Sequence, residues 1–345
     1  MNVGIIGASG YGGVELHRFL HHHPYVQECI LYTSSDQEKR YSDHYPHLTG
    51  INQETLKNQE DLEGLDALFI AAPPGVSAAL TPECMENYPN LQIIDLSGDL
   101  RLKNLEDYEK WYRRKPASGK AVEQAVYGLS DINKEQIKEA RIVANPGCYP
   151  TATLLGLAPL LAAEGVIEPH SIIVDAKSGV SGAGKKASQA SLYSETNENF
   201  RIYKVAEHQH TPEIEQALSL WAKKEIMISF NPHLVPMTRG IMATSYASLT
   251  KNWSTSDLLE HYRAFYQDSP FVRIREKGNY PSTKEVTGSN YCDIGLKADE
   301  RTGRVIIVSV IDNLVKGAAG QAVHNFNLMN GYEEATGLNA LPIYP

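Results

Sequence analysis

The hydrophobic pattern of the first 150 residues alternates between short apolar runs and longer stretches with apolar positions at helical spacing. The short runs predict strands at 2–6, 28–33, 67–72, 92–96 and 141–144, with a helix at 76–86 between two of them. Strands and helices that alternate in this way are typical of a parallel sheet with helices on both faces. We therefore predict an α/β domain over residues 1–150.

The pattern changes after residue 150. A Leu- and Ala-rich helix is predicted at 151–164, followed by strand-like segments at 171–176, 226–230, 240–249, 291–297 and 304–311. Polar turn residues at 299–303 join the last two segments as a hairpin. This pattern predicts a second α/β domain with a largely antiparallel sheet over residues 151–313. A final helix near 316–330 is expected to bring residues 314–345 back to the first domain.

A glycine-rich loop joins the first predicted strand to the first helix. Glycines let such a loop turn tightly and approach a pyrophosphate, whose charge is met by N–H groups at the helix N-terminus. The loop predicts a Rossmann-like dinucleotide-binding domain, and a purely structural glycine turn is the alternative. The expected cofactor contacts are Gly7, Ser9, Gly10, Tyr11, Gly12 and Gly13.

The end of the second strand indicates which dinucleotide binds. NAD-selective sites usually carry an acidic residue there for the ribose 2′-hydroxyl. Here the strand ends in Ser34 and Ser35, and the first carboxylate after it is Asp36. Lys39 and Arg40 follow, either as partners of a 2′-phosphate or as a solvated loop. The segment favours NADP.

A second glycine loop, 179–186, begins like a phosphate-binding P-loop. Lys186 stands where that motif needs Ser or Thr to hold Mg²⁺. We expect this loop to line the cofactor or active-site cleft and reject an ATPase.

Composition excludes several classes of protein. The chain has 345 residues, with 32 Lys and Arg against 41 Asp and Glu, and the net charge of −9 argues against binding of nucleic acid or anionic membranes. No apolar stretch is long enough to span a bilayer, and the first residues do not resemble a signal peptide. The four cysteines form no CxxC pair. A cytoplasmic location is expected.

One cysteine differs from the others in its context. Cys148 lies in the segment Asn145-Pro146-Gly147-Cys148-Tyr149-Pro150-Thr151, which ends a predicted strand and opens the Leu/Ala-rich helix, with Thr151 as N-cap or first-turn residue. The positive end of a helix stabilises a thiolate, so this cysteine is a candidate nucleophile. Cys29, Cys84 and Cys292 are interpreted as small buried hydrophobic residues.

Five segments together resemble the N-acetyl-gamma-glutamyl-phosphate reductase family, in the order that the family shows, and the resemblance spans essentially the whole chain. At Gly98 and Leu100 the family more often has Ala and Phe. The segments are the glycine loop 7–13, residues 145–151, His208-Gln209-His210-Thr211-Pro212-Glu213-Ile214, Val235-Pro236-Met237-Thr238-Arg239-Gly240, and 313–322.

The resemblance implies an NADPH-dependent reduction of an acyl phosphate to an aldehyde through a thioester on Cys148, in arginine biosynthesis. It also implies a general acid/base, His208 or His210, just before a helix at 212–224. Both side chains of an extended H-x-H point the same way, so periodicity does not choose between them, and His210 is preferred. Further contacts are expected from Ser178, Gly179 and Asn313 with cofactor, and from Arg101 and Arg239 with anionic groups of the substrate.

Alternatives remain open at this point. The substrate could be aspartyl phosphate or a protected aminoadipyl phosphate, and a non-catalytic NADP-sensing regulator would have no use for Cys148. Metal binding by His208, His210 and Glu213 is a third interpretation, although hydride reduction of a thioester needs no metal. The sheet of the second domain could serve a homo-oligomer, as a dimer or a tetramer.

Overall fold

The computed structural model describes residues 1–34, 39–59 and 62–344. The chain divides into two compact units. The first unit contains Met1–Pro146 and Ala318–Asn339, and the second contains Gly147–Gly317 and Ala340–Pro345. Within the described ranges, no helix is long and apolar enough to cross a membrane.

The first unit is built on a parallel sheet. Because its strands are covered on both faces, they are apolar almost throughout, as Ala67–Ile70 illustrates with four buried residues in a row. The strand order is β2-β1-β3-β4-β6-β5, and every pair is parallel. The strands are β1 (Asn2–Ile6), β2 (Glu28–Tyr32), β3 (Ala67–Ile70), β4 (Gln92–Asp95), β5 (Ala125–Tyr127) and β6 (Ile142–Ala144).

The chain runs from β1 to β2 on one side and then to β3 on the other. The carboxyl end of β1 is therefore the topological switch point, where open α/β sheets bind ligands. The helices of this unit are α1 (Tyr11–Leu20), α2 (Tyr41–His44), α3 (Val76–Asn87), α4 (Leu105–Tyr112), α5 (Gly119–Gln124) and α6 (Lys134–Lys138).

A late segment completes the first unit. After a π-helical turn at Val315–Ala319, an α-helix runs over Gly320–Met329 and is buried along its whole length. In it, the Asn327 Oδ1 atom lies 2.8 Å from the His23 Nε2 atom. The last residues differ from the expectation for 314–345, because those after Asn339 belong to the second unit, where the Ile343 N–H donates to the Thr287 carbonyl.

The second unit contains a mixed sheet with the order β11-β12-β13-β10-β7-β9-β8. Four of its pairs are antiparallel, whereas β7–β9 and β11–β12 are parallel. The Rossmann-like first unit and this largely antiparallel sheet confirm the predicted fold class. The strands are β7 (Ile167–Ser178), β8 (Arg201–Ile202), β9 (Ser229–Leu234), β10 (Ile241–Leu249), β11 (Val272–Ile274), β12 (Cys292–Asp299) and β13 (Arg304–Ile311).

One apolar helix covers this sheet. The helices of the second unit are α7 (Cys148–Ala162), α8 (Tyr193–Thr196), α9 (His210–Ala222) and α10 (Thr255–Phe265). Thirteen consecutive residues of α7, Tyr149–Leu161, are buried, and the helix packs on β10 and β13. Residues along β7 and β10 alternate between buried and half-buried, so one face of these strands is buried and the other stays partly open.

Two helices begin earlier than predicted. Helix α7 starts at Cys148 instead of residue 151, because Pro150 lies in the first turn, where proline is tolerated. Helix α9 starts at His210 instead of 212. Strand β9 extends beyond its predicted end through Pro232, a residue that argues against a strand in sequence analysis.

His17 makes the stability of the first unit depend on pH. It is buried on α1 with its Nε2 atom 2.8 Å from the Asn52 Nδ2 atom. Burial, and then the nearby His21 and His22, lower the pKa of His17 to about 4. The folded chain therefore keeps this imidazole neutral, whereas the unfolded chain protonates it below about pH 6.5. Its contribution to stability is complete above that pH and is lost as the pH falls towards 4.

We expect the free energy of unfolding to fall by about 2 kcal/mol between pH 7 and pH 5 on account of His17. Urea denaturation of the wild type and of His17→Gln at both pH values measures this effect, and the variant should lose most of it. His47→Gln, at an exposed position, is the matched control and should keep the wild-type dependence. An unchanged pH dependence in His17→Gln would contradict this assignment.

Candidate active site

The glycine loop at the end of β1 is closely packed on one side and open on the other. A Cβ atom at Gly7, where φ is 81°, would lie 2.5 Å from the Ala71 carbonyl oxygen, and one at Gly13 would lie 2.4 Å from the Gly7 oxygen. At Gly12 the nearest such atom, the Ala71 Cβ, is 3.8 Å away. The loop and the start of α1 thus form a cradle that fits a pyrophosphate.

The residues that the structure describes directly after β2 are Thr33 and Ser34. Thr33, the first residue after β2, is buried, and its N–H donates to the Lys57 carbonyl. Ser34, the next residue, is exposed. The described end of this strand thus carries no acidic side chain. Ser35 and Asp36 lie outside the described residues.

Cys148 is the first residue of α7, and Gly147 is its N-cap. Thr151 is not the N-cap; it lies in the first turn and donates its hydroxyl to the Gly147 carbonyl at 2.9 Å. The backbone of Gly317 packs directly on the cysteine, since a Cβ atom there would be 2.7 Å from the Cys148 Cβ. Cys148 is half-buried, and Cys84 and Cys292 are fully buried as predicted, whereas Cys29 is half-buried and not the buried residue that was expected.

Helix α9 carries two residues that contact the turn before Cys148. The Glu213 carboxylate is fully buried and accepts the Gly147 N–H at 2.8 Å. The His210 ring lies against the same glycine, because a Cβ atom at Gly147 would be 2.4 Å from the His210 Nε2. Both side chains therefore meet the N-cap of the helix that begins with the candidate nucleophile.

His208 differs from His210 in environment. Its Nδ1 accepts the His210 backbone N–H at 3.1 Å, so its proton is on Nε2. Burial, and then Lys204, lower the pKa of His208 to about 3, and the ring stays neutral.

The backbone of the segment His208-Gln209-His210 differs from the prediction. The predicted extended conformation is wrong, because Gln209 is helical (φ −60°, ψ −16°). Among the described residues, no group of three His, Cys, Asp or Glu side chains is arranged to hold a metal ion.

Two tyrosines form a chain of hydroxyl groups beside these histidines. The Tyr203 hydroxyl lies 3.5 Å from the His208 Nε2 and donates to the Tyr149 hydroxyl at 3.2 Å. Tyr149 donates in turn to the His233 carbonyl. Burial raises the pKa of Tyr203 to about 12, so this hydroxyl remains a donor at neutral pH.

The glycine loop after β7 is not a phosphate-binding P-loop, because its N–H groups are used within the chain. The N–H groups of Gly179 and Ser181 donate to the carbonyls of Gly240 and Thr238. Asn313 joins the two segments, since it accepts the Gly240 N–H and donates to the Ser181 hydroxyl. The Ser178 hydroxyl donates to the Gly179 carbonyl.

The two arginines expected to bind substrate lie in different units. Arg101 is buried in the first unit, and its guanidinium donates to the carbonyls of Asn145 and Leu96. Arg239, in the second unit, is partly exposed, with its Nη1 atom 3.5 Å from the buried carboxylate of Asp312. Arg239 is thus the more accessible to an anion.

Two residues of this site, Tyr203 and Gly317, are absent from the prediction, and Glu213 enters it only as an alternative metal ligand. Glu213 follows His210 by three residues, and this spacing places both on one face of a helix. That signal was present once the helix was known to start at His210. Tyr203 and Gly317 carry no local signal, since their roles come from contacts across the fold.

The chain matches two protein-family descriptions. Residues 2–140 match the semialdehyde dehydrogenase NAD binding domain, and residues 148–313 match the semialdehyde dehydrogenase dimerisation domain. Among curated relatives, N-acetyl-gamma-glutamyl-phosphate reductase of Bacillus subtilis is 58% identical over 349 residues, and that of Geobacillus sp. (strain WCH70) is 56% identical over 348. Both matches cover 100% of each chain.

Solved structures with similar folds are aspartate semialdehyde dehydrogenases. The enzyme II from Vibrio cholerae, complexed with ASA, has a TM-score of 0.71 at 19% identity, covering 96% of this chain and 98% of that one. The enzyme from Candida albicans with NADP has a TM-score of 0.69 at 15% identity, covering 95% and 98%. At these identities the similarity establishes the fold alone.

Proposed function

The chain belongs to the N-acetyl-gamma-glutamyl-phosphate reductase family, and from this membership we propose that it reduces N-acetyl-L-glutamyl 5-phosphate to N-acetyl-L-glutamate 5-semialdehyde and phosphate in arginine biosynthesis. The observation that carries the mechanism is the meeting of His210 and Glu213 at the turn before Cys148. A regulator that only sensed a dinucleotide would not need a histidine held against the turn before a cysteine at a helix start.

Cys148 is the proposed nucleophile. Its sulfur forms a bond to the acyl carbon, the bond from that carbon to the phosphate oxygen breaks, and phosphate leaves with the electron pair, so that a thioester remains. Cys148 lies at the positive end of α7, which would stabilise the negative charge that develops on the acyl oxygen. After reduction the thiohemiacetal collapses, which releases the aldehyde and restores the thiolate.

His210 is the proposed general acid/base. It takes the thiol proton, and as imidazolium it stabilises the oxygen charge in the later step. Glu213 holds the Gly147 N–H and so fixes the start of α7 relative to the histidine. His208 is the proposed positioning partner, because its Nδ1 accepts the His210 N–H and its low pKa keeps it neutral.

The proposed cofactor is NADP. Bound NADPH supplies the hydride that converts the thioester carbonyl into a thiohemiacetal. The glycine loop would hold its pyrophosphate, and Ser34 and Ser35 its 2′-phosphate, with further contacts from Ser178, Gly179 and Asn313. Arg101 and Arg239 are the proposed partners of the substrate's phosphate and carboxylate.

The proposed assembly is a homo-oligomer, a dimer or a tetramer, formed through the sheet of the second unit. Side chains on one side of β7 and β10 are only half-buried in a single chain, among them Ile173, Lys177, Met242 and Tyr246. A partly open face of this breadth in the domain matched to a dimerisation domain supports the proposal.

The test is NADP reduction in the reverse direction, with N-acetylglutamate semialdehyde and phosphate compared with aspartate semialdehyde and phosphate. We expect kcat/KM to be at least about 100-fold higher for the acetylated substrate, since a site that binds an amide rejects an analogue without it. Replacing NADP by NAD should lower kcat/KM at least about tenfold, because the end of β2 offers hydroxyls in place of a carboxylate. Equal rates with both aldehydes would remove the substrate assignment.

A further inference from the structure

Two tyrosines, at the start and at the C-cap of the short helix α2, form hydrogen bonds with carbonyl groups of the glycine loop. The Tyr41 hydroxyl donates to the Ala8 carbonyl at 2.9 Å. The Tyr45 hydroxyl lies 2.9 Å from the Ser9 carbonyl oxygen and 3.0 Å from that of Gly10. The two hydroxyls, from the first residue of α2 and from its C-cap, thus lie within hydrogen-bond distance of three successive carbonyls of the loop.

Both hydroxyls are committed donors. Tyr41 is fully buried, and Tyr45 is 9% exposed. Burial, followed by the nearby Tyr11, raises the pKa of Tyr45 to about 12, and burial also raises the pKa of Tyr41. Neither group ionises near neutral pH, so each keeps the proton that it donates to the loop. The Tyr41 ring also packs edge-on against His17 of α1, with ring centroids 5.2 Å apart.

The carbonyls determine where the N–H groups of the loop point. In a trans peptide the C=O of one residue and the N–H of the next lie in one plane and point in opposite directions. A carbonyl of Ala8 held towards Tyr41 therefore directs the Ser9 N–H to the opposite side. The Gly10 carbonyl accepts the Val14 N–H at 3.0 Å and lies 3.0 Å from the Tyr45 hydroxyl, so both contacts fix the direction of the N–H of Tyr11, the first residue of α1.

We propose that Tyr41 and Tyr45 are positioning residues for the dinucleotide, which hold the loop so that its N–H groups face the pyrophosphate before the cofactor arrives. The proposal rests on the proposed use of the glycine loop for NADP. Without the two hydroxyls, ordering the loop would cost part of the binding free energy.

The test uses the full chain and the variants Tyr41→Phe, Tyr45→Phe and the double variant. NADPH binding is measured by fluorescence titration, and turnover by NADP reduction with the semialdehyde and phosphate. We expect each single variant to raise the Kd for NADPH about three- to tenfold, and the double variant more, as for the loss of one or two hydrogen bonds. KM for NADP should rise in parallel, while kcat at saturating NADP stays within about twofold.

Tyr262→Phe is the matched control, because Tyr262 is a buried tyrosine of the second unit whose hydroxyl donates to the Gly156 carbonyl. It should leave the Kd for NADPH unchanged even where its Tm falls as far as those of the other variants. An unchanged Kd in the double variant, or an equal rise in Tyr262→Phe, would overturn the proposal. A wild-type chain that does not bind NADPH would instead overturn the proposed function, so the two failures are distinguishable.

Discussion

Cys148→Ala is expected to lower kcat by at least about 10⁴-fold, because no other group can form the thioester. NADPH binding should change less than about twofold, since the glycine loop lies in the first unit. Steady-state rates and a fluorescence titration on the same preparation measure both quantities. The matched control is Cys29→Ala, since burial raises the pKa of Cys29 to about 12 and leaves it protonated at neutral pH.

A phosphate-free reaction tests the same covalent step in the wild type. The aldehyde adds to Cys148, hydride leaves to NADP, and the thioester then waits for phosphate. Stopped-flow absorbance should show about one NADPH per active site in a burst, followed by a stall, and phosphate or arsenate should restore turnover. Full steady-state turnover without either anion, with free carboxylate as product, would contradict the mechanism.

His210→Asn is expected to lower kcat by about 10²- to 10⁴-fold, the usual contribution of a positioned acid/base. His208→Gln should cost less, because this ring is neutral and acts through the His210 backbone. The distinguishing measurement is the dependence of kcat on pH. His210→Asn should lose the part of the pH dependence of kcat that comes from the general base, whereas His208→Gln should retain it at reduced amplitude.

Glu213→Gln serves as the control for the geometry around His210. Glutamine can still accept the Gly147 N–H through its side-chain carbonyl, so the turn before Cys148 should keep its shape while the charge is lost. The assignment of His210 as the acid/base is supported if the dependence of kcat on pH is shifted in Glu213→Gln and lost in His210→Asn. If His208→Gln abolished the ionisation and His210→Asn did not, the roles of the two histidines would have to be exchanged.

Those features of the fold and site that depend on local pattern could be predicted from the sequence. Strand β1 and the glycine loop follow from an apolar run and the spacing of glycines, and β13 from an apolar run that follows a hairpin turn. The family resemblance, drawn from the segments around Cys148 and His210, is confirmed by relatives 53–58% identical over the full chain. The hydrophobic pattern and the characteristic family segments are enough to predict these features.

Other features arise from contacts between distant parts of the chain, which periodicity does not encode. The hydroxyls of Tyr41 and Tyr45 reach loop residues more than 30 positions earlier, and Glu213 reaches a glycine 66 positions away. The start of α7 differs from the prediction for a different reason. The predicted helix begins at 151, after Pro150, although the first turn tolerates a residue without an N–H.

The division of the chain separates the chemistry into two half-reactions. Cys148, His210 and Glu213 all belong to the unit that starts at Gly147, whereas the glycine loop and its two tyrosines belong to the other. In the proposed mechanism, acyl transfer between phosphate and sulfur uses Cys148 and His210 and needs no dinucleotide, and it is reversible without any change of oxidation state. An enzyme whose glycine loop no longer holds a dinucleotide would therefore keep a residual activity as a phosphate-exchanging acyltransferase, detectable as isotope exchange between phosphate and the acyl phosphate.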